Sequence, residues 1–343
     1  MNIVITGGGT GGHLTIAKAI KEELNKRGIK PIFIGSTYGQ DRAWFEEDEG
    51  WGEKFFFETS GVVNKKGFAK LGALKDILKA TIKAKDIFKK YSIDAIFSVG
   101  GYSAAPASFA AIMMKKKFYI HEQNAVMGRL NKLLAPKATM LFSSYHIYHD
   151  DAITDYPIRD IYFDDARVRK EIKTIIFLGG SQGATAINDF ALSAAQTLKD
   201  KKIKIIHQCG KRDLEKCQKF YHDNEIEVDV FDFSQQIEEK IKEADFAICR
   251  AGASTVWELT AAQLPALFIP YPHAAGNHQY HNAKFLVDKK LALLRTQDVL
   301  NLNSLNDIWD LDVEEMSRGL AIMIAKNGAK SIVNFILGEA SPK

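Results

Sequence analysis

Short apolar runs alternate with helical patterns along almost the whole chain. Runs at 2–6, 31–35, 54–57, 94–98, 118–120 and 139–142 predict strands in the first half. Runs at 174–179, 203–207, 228–231, 246–249, 266–269 and 291–294 predict strands in the second. Many are near-continuous in apolar residues, as strands buried on both faces are. Their alternation with helical stretches predicts βαβ units and parallel sheets, an α/β fold.

The pattern also restarts. Residues 174–190, TIIFLGGSQGATAINDF, repeat the plan of residues 2–20: apolar strand, glycine loop, helix. Ahead of them, 150–172 is rich in charge, contains Pro157 and predicts a linker. Two doubly wound domains facing a central cleft are expected. Ligands in such sheets bind at the carboxyl ends of the strands.

A length of 343 residues leaves room for two domains of ordinary size. Three scattered cysteines, Cys209, Cys217 and Cys249, offer neither a disulfide framework nor a zinc site, which points to a reducing cytoplasm. The start MNIVIT enters a strand directly and does not read as a signal peptide. No apolar run reaches the roughly 18 residues that span a bilayer. Charge changes the picture more. Residues 1–150 carry 22 Lys and Arg against 14 Asp and Glu, a net +8, and the remainder carries 24 against 28, a net −4. Nine lysines and two aspartates crowd into 65–90. A basic first half fits nucleic acid, an anionic membrane surface or a polyphosphate ligand.

Three glycine loops follow apolar strands: GGGTGGH at 7–13, SVGGYSAAP at 98–106 and FLGGSQGAT at 177–185. The first contains Gly7-x-Gly9-x-x-Gly12, the spacing of a dinucleotide site. Such a site needs an acid at the end of the second strand to hold the ribose. Here that strand ends Gly35-Ser36-Thr37, so a nicotinamide cofactor is not expected. None of the loops is a P-loop, because no Gly-Lys-Ser/Thr follows. Tight βα turns need glycine in any case. Three such loops opening helices favour a polyphosphate or another anionic group.

HEQNAVMGRLNK at 121–132 sets His121, Glu122, Gln123 and Asn124 at a strand end, where α/β sites form. Neither His121 nor Glu122 has metal spacing with a nearby partner. CRAGASTVWE at 249–258 runs from a strand through a small-residue loop into a helix. Glu258 there either compensates the helix dipole or accepts from a ribose diol. In HAAGNHQYHNAKFL at 273–286, Gln279 and Asn282 either read sugar hydroxyls or cap a helix.

Taken in order, GGGTGGH, GGYSAAP, HEQNAVMGRLNK, GGSQGA, ICRAGASTVWE and PHAAGNHQYHNA resemble the MurG family. These are the UDP-N-acetylglucosamine–N-acetylmuramyl-(pentapeptide) pyrophosphoryl-undecaprenol N-acetylglucosamine transferases. The match runs from Asn2 to about residue 290, and the last fifty residues carry little signature. The resemblance implies a GT-B fold of two Rossmann-like parallel-sheet domains. The first would span 1–158 and the second 159–327, with a last helix at about 328–343 returning to the first. It implies inverting transfer of N-acetylglucosamine from UDP-GlcNAc to the muramyl 4-hydroxyl of lipid I, giving lipid II. No cofactor, divalent metal or nucleic acid is expected. The expected setting is the cytoplasmic face of the bacterial inner membrane, bound peripherally beside other cell-wall synthesis proteins.

Carried over by position, the resemblance implies that Ser181 meets the donor diphosphate and Glu258 the ribose. The backbone of Ser234 would read uracil, at a position where the family often has an aliphatic residue. Arg159 would meet the nucleotide, and Gln279 and Asn124 the sugar. Thr10, Gly11, Gly12, Ala253, Ser254 and Thr255 would complete the donor site. His13, His121 and Glu122 fall at positions implicated in catalysis, and Tyr102 and Asn188 at acceptor positions. His13 is the choice of base, since a histidine suits proton transfer near neutral pH; the alternative is that it only hydrogen-bonds the sugar or a phosphate.

The lipid acceptor gives the basic segment a use. Phe68, Leu71, Leu74, Leu78 and Ile82 recur at helical spacing, flanked by Lys70, Lys75, Lys79, Lys83 and Lys85. An ordinary amphipathic helix would pack that stripe on its sheet. A docking helix would turn it to an anionic leaflet, and that is the expectation here. Three other readings compete: a UDP-GlcNAc 2-epimerase, a nucleotide-sugar sensor without catalysis, and a transferase acting on another lipid. The basic stripe disfavours the first, His13 and the HEQN run the second, and the family pattern of that run the third.

Overall fold

The computed structural model describes residues 1–62, 66–145, 151–180, 183–234 and 236–339. The chain divides into two compact units, Met1–Arg159 with Lys326–Lys343, and Asp160–Ala325.

The first unit is built on strands β1 (Ile3–Thr6), β2 (Ile32–Ser36), β3 (Glu53–Phe57), β4 (Ala95–Ser98), β5 (Lys117–Glu122), β6 (Met140–Ser143) and β7 (Asp151–Ile153). They form one parallel sheet in the order β3-β2-β1-β4-β5-β6-β7. β1 and β4 are buried throughout, as their apolar runs require. Val4, Ile96 and Ile120 share a core with Ala80, Ala84 and Phe88 of helix Gly67–Lys90 and with Ala107, Ala110 and Ala111 of helix Ala105–Met113. The alanines let the two helices lie close together on the sheet.

The second unit uses β8 (Thr174–Leu178), β9 (Lys204–Gln208), β10 (Val228–Phe231), β11 (Phe246–Cys249), β12 (Ala266–Phe268) and β13 (Leu293–Leu294). Its parallel order, β10-β9-β8-β11-β12-β13, repeats the plan of the first sheet. In each sheet the strand order reverses beside the first strand, at β1/β4 and at β8/β11. The loops after those four strands are where a doubly wound sheet opens its ligand crevice. All three glycine loops and the CRAGAS loop leave those strands.

One element differs from the sequence expectation. β7 lies inside the stretch expected to be linker, pairing Leu141 with Asp151 and Ser143 with Ile153. It is a three-residue edge strand with no apolar run of its own. The helix Gly328–Leu337 belongs to the first unit and packs on helix Gly11–Asn25. Arg27 Nη2 donates to Asn334 Oδ1 there, and the Phe335 ring meets Phe142 edge-on at 5.5 Å.

Candidate active site

In the first unit the two switch-point loops interlock. The Gly8 amide donates to the Gly100 carbonyl at 3.1 Å. Gly101 has φ +77°, and a Cβ there would strike the Gly8 carbonyl, so no other residue fits. Asp41 clamps the first loop from beneath. Its carboxylate accepts from the Gly9 amide and, at 2.9 Å, from the Ser36 amide. Asp41 is fully buried; burial raises its pKa, and the hydrogen bonds from Gly9, Ser36 and Ser103 oppose the rise. The acid missing from the end of β2 thus exists five residues later, turned inward onto the loop and away from any ribose. Sequence reasoning missed it, because an acid opening the short helix Asp41–Phe45 reads as dipole compensation.

His13 sits in the first turn of helix Gly11–Asn25. Its Nδ1 lies 2.9 Å from Thr10 Oγ1, and its Nε2 lies 3.0 Å from Gln123 Nε2. Thr10 is exposed, while Gly11, Gly12 and His13 are half-buried around the helix start. Tyr102 lies across the same loop: its hydroxyl donates to the Tyr38 carbonyl at 2.8 Å, and burial, with Asp41 nearby, raises its pKa. Arg159 is held at 3.3 Å by Glu22 of the same helix.

Two expected catalytic residues are placed otherwise. Glu122 is buried, and its two oxygens accept from four donors. Oε1 takes the Asn124 amide at 2.9 Å and the Asn124 side chain at 3.2 Å. Oε2 takes the Gly128 amide at 2.9 Å and Asn131 Nδ2 at 2.8 Å. Glu122 therefore shapes the loop that carries Asn124, with no lone pair aimed outward. His121 is fully buried, packed edge-on to Tyr156 at 5.6 Å, and its pKa is pushed down to about 3 by burial and then by His13. It is a neutral core imidazole. The sequence placed both residues at a strand end; the inward direction of their side chains was not legible in it.

In the second unit Ser181 lies outside the described residues. Around it, Gly183 N donates to Gly180 O at 3.0 Å, and helix Thr185–Asp200 starts immediately after the loop. The amides that open a helix lack partners four residues back, which suits a helix start to an anion. Asn188, expected at the acceptor, is instead fully buried. Its amide donates to the Cys209 carbonyl at 2.9 Å and to Asp213 at 2.8 Å, and its Oδ1 lies 3.1 Å from His207 Nε2. Those bonds use its polar atoms to tie the helix to the end of β9.

The β11 loop leads into helix Ala253–Ala261, whose N-terminus is formed by Ala253, Ser254 and Thr255. Glu258 lies one turn in and is largely buried. Asn282 neither caps a helix nor faces solvent: it is fully buried and donates to the Ala251 carbonyl at 3.2 Å, pinning that loop. Gln279 Oε1 accepts from the Tyr271 amide at 2.8 Å. Ser234 follows β10, with its hydroxyl accepting from the Gln236 amide at 3.0 Å. Arg250, not singled out in the sequence, braces the loop through the Ile269 and Pro270 carbonyls and Gln297. Among the described residues no group of three or more His, Cys, Asp or Glu could hold a metal ion.

Away from these loops, helix Gly67–Lys90 buries Ala73, Ala80, Thr81, Ala84 and Phe88. Its larger apolar stripe faces out: Phe68 is 91% exposed, Leu71 63%, Leu74 47%, Leu78 59% and Ile82 53%. Lys70, Lys75, Lys79 and Lys83 are exposed beside it, and Lys85 is half-buried. No helix among the described residues is long and apolar enough to cross a membrane.

Two doubly wound parallel-sheet units, each with glycine-loop helix starts at its switch point, make a GT-B fold. Comparison with known proteins narrows this. Residues 3–143 match the glycosyltransferase family 28 N-terminal domain, and residues 174–336 match the family 28 C-terminal domain. The UDP-N-acetylglucosamine–N-acetylmuramyl-(pentapeptide) pyrophosphoryl-undecaprenol N-acetylglucosamine transferase of Campylobacter jejuni (strain RM1221) is 52% identical over 334 residues, 97% of this chain and 96% of its own. The same-named protein of Sulfurovum sp. (strain NBC37-1) is 50% identical over 340 residues, 99% of each chain. The crystal structure of Acinetobacter baumannii MurG superimposes with TM-score 0.78 at 28% identity, covering 98% of this chain and 99% of that one. A UDP-GlcNAc 2-epimerase from Neisseria meningitidis shares the fold, with TM-score 0.66, at only 13% identity over 98% of this chain and all of that one. The chain belongs to the family of these N-acetylglucosamine transferases.

Proposed function

We infer that the protein transfers N-acetylglucosamine from UDP-N-acetylglucosamine to the undecaprenyl-diphosphate-linked muramyl peptide, with inversion at the sugar. One observation carries the reading: near-full-length kinship at about half identity to transferases of that name. The switch-point loops supply the chemistry. In the second unit, the glycine loop and the N-terminus of helix Thr185–Asp200 suit a diphosphate, stabilising the departing UDP by backbone amides and helix dipole. Glu258 suits the ribose diol, the backbone at Ser234 the uracil, and Gln279 the sugar once its bond to Tyr271 opens. In the first unit, the loop bearing Thr10 and His13 suits the acceptor hydroxyl, with Tyr102 and Asn124 beside it. Glu122, His121 and Asn188 serve as framework. No metal is required, because a helix terminus can take the phosphate charge.

The exposed stripe of helix Gly67–Lys90 is the docking surface for an anionic leaflet, which brings the enzyme to a lipid acceptor without a spanning helix. Incubation with labelled UDP-GlcNAc and a short-chain analogue of the acceptor tests the reading. A lipid-linked disaccharide and free UDP are expected; a chain that binds the donor and forms no disaccharide would be a sensor.

A further inference from the structure

Thr10 stands at the N-cap of helix Gly11–Asn25, where a threonine hydroxyl ordinarily accepts from an amide of the first turn. It makes no such bond. Its Oγ1 lies 2.9 Å from Nδ1 of His13 instead, on an exposed residue. The helix start thus forgoes its cap, and the hydroxyl is committed to the imidazole.

The other ring nitrogen is committed too. His13 Nε2 lies 3.0 Å from the Gln123 side-chain nitrogen. Gln123 is 7% exposed, and its Oε1 is buried with no hydrogen-bond partner among the described residues. With the amide donating, Nε2 accepts, and the ring proton sits on Nδ1 and points at Thr10. That is a resting state with the one ring lone pair and the one N–H both engaged. With the amide turned over, Oε1 accepts from Nε2–H, and Nδ1 holds a lone pair toward the Thr10 hydroxyl. A protonated ring then finds an acceptor at each N–H: Thr10 Oγ1 and Gln123 Oε1. The titratable neighbour whose field couples to His13 is His121, which is neutral above about pH 3 and adds no charge.

We propose that Thr10, His13 and Gln123 form a hydroxyl–imidazole–amide relay. Thr10 Oγ1 meets the acceptor hydroxyl, gives its own proton to His13 Nδ1 and takes the acceptor's proton. The acceptor oxygen bonds to the sugar C1 as the C1–O bond to UDP breaks, the electron pair leaving with UDP. One proton is then on His13 and Thr10 is unchanged. Thr10 becomes a catalytic residue in place of a donor contact, and Gln123 is the positioning residue that holds Nε2. This rests on the transferase reading.

Steady-state transfer from UDP-GlcNAc to a short-chain lipid acceptor, measured against pH, tests it, together with UDP affinity by calorimetry. Thr10→Val should lower kcat roughly 10²–10³-fold with UDP affinity unchanged. Thr10→Ser, which restores the hydroxyl, should recover most of kcat. Gln123→Glu places a carboxylate on Nε2 and favours the imidazolium, so the acid limb of kcat/KM should move to higher pH. Thr10→Val at wild-type kcat, Thr10→Ser no better than Thr10→Val, or an unmoved acid limb in Gln123→Glu would each overturn the relay alone. A wild type that forms no disaccharide would overturn the transferase reading and the relay with it.

Discussion

Glu258 is the proposed donor contact whose loss is simplest to read. It lies one turn inside helix Ala253–Ala261, largely buried, behind the loop that Asn282 pins through Ala251. Removing a charged acceptor of ribose hydroxyls should cost about 1.5–3 kcal/mol of donor binding. Glu258→Ala should therefore weaken UDP affinity roughly 10–150-fold. Calorimetry showing wild-type affinity would remove Glu258 from the ribose site. A second residue-scale prediction concerns buried imidazoles. Burial holds the His207 pKa down to about 4, against a weaker pull upward from Asp213. From about pH 6.5 down to 4 the unfolded chain takes up that proton and the folded chain does not. The stability this group supports is complete above pH 6.5 and is lost as pH falls through the window. Chemical denaturation at pH 7 and pH 5 should show a loss of about 2 kcal/mol from His207. His207→Gln should remove that share of the dependence and leave the share from His121, whose pKa burial holds at about 3; an unchanged slope would contradict the assignment. Glu122, His121 and Asn188 share one feature that the sequence did not show. Their place at a strand end or helix start was legible, but whether each side chain points out or in was not. Glu122 accepts from four donors of its own loop, and Asn188 is spent on Cys209, Asp213 and His207. No spacing rule foretells that.

Among the elements, helix Gly67–Lys90 is the one whose sequence raised the sharpest choice. Its small face, Ala73, Ala80 and Ala84, goes to the core, and its large apolar face goes to solvent with the lysines. That is the reverse of an ordinary surface helix. Each lysine near an anionic leaflet is worth about 1 kcal/mol, so attachment should be reversible and should weaken with salt. Changing Lys75, Lys79 and Lys83 together to Glu should release the protein from anionic liposomes and slow transfer to a membrane-bound acceptor, while UDP affinity holds. Undiminished co-sedimentation of that triple variant would place the docking surface elsewhere. Among the described residues, twelve of the thirteen strands were legible as apolar runs. β7 was not, because an edge strand of three residues beside charged positions needs little burial on either side. Asp41 escaped for a related reason. A helix of five residues carries too little pattern to show that its first side chain turns inward.

At the scale of the whole molecule, the two units repeat one sheet order, each with its own switch point. The fold alone does not choose between transfer and epimerisation, since the Neisseria meningitidis epimerase shares it at TM-score 0.66. The acceptor chemistry would choose, and on the proposed reading it falls to the first unit, where Thr10 and His13 follow the interlocked glycine loops. Phosphate charge met by a helix start predicts activity that survives a chelator. The most direct measurement is the anomeric configuration of the product. With UDP-GlcNAc, a short-chain muramyl-diphosphate lipid and a chelator present, proton NMR should show a β-linked disaccharide forming in step with free UDP. An α-linked product, an epimerised UDP-sugar, or no sugar transfer until metal is restored would contradict the account.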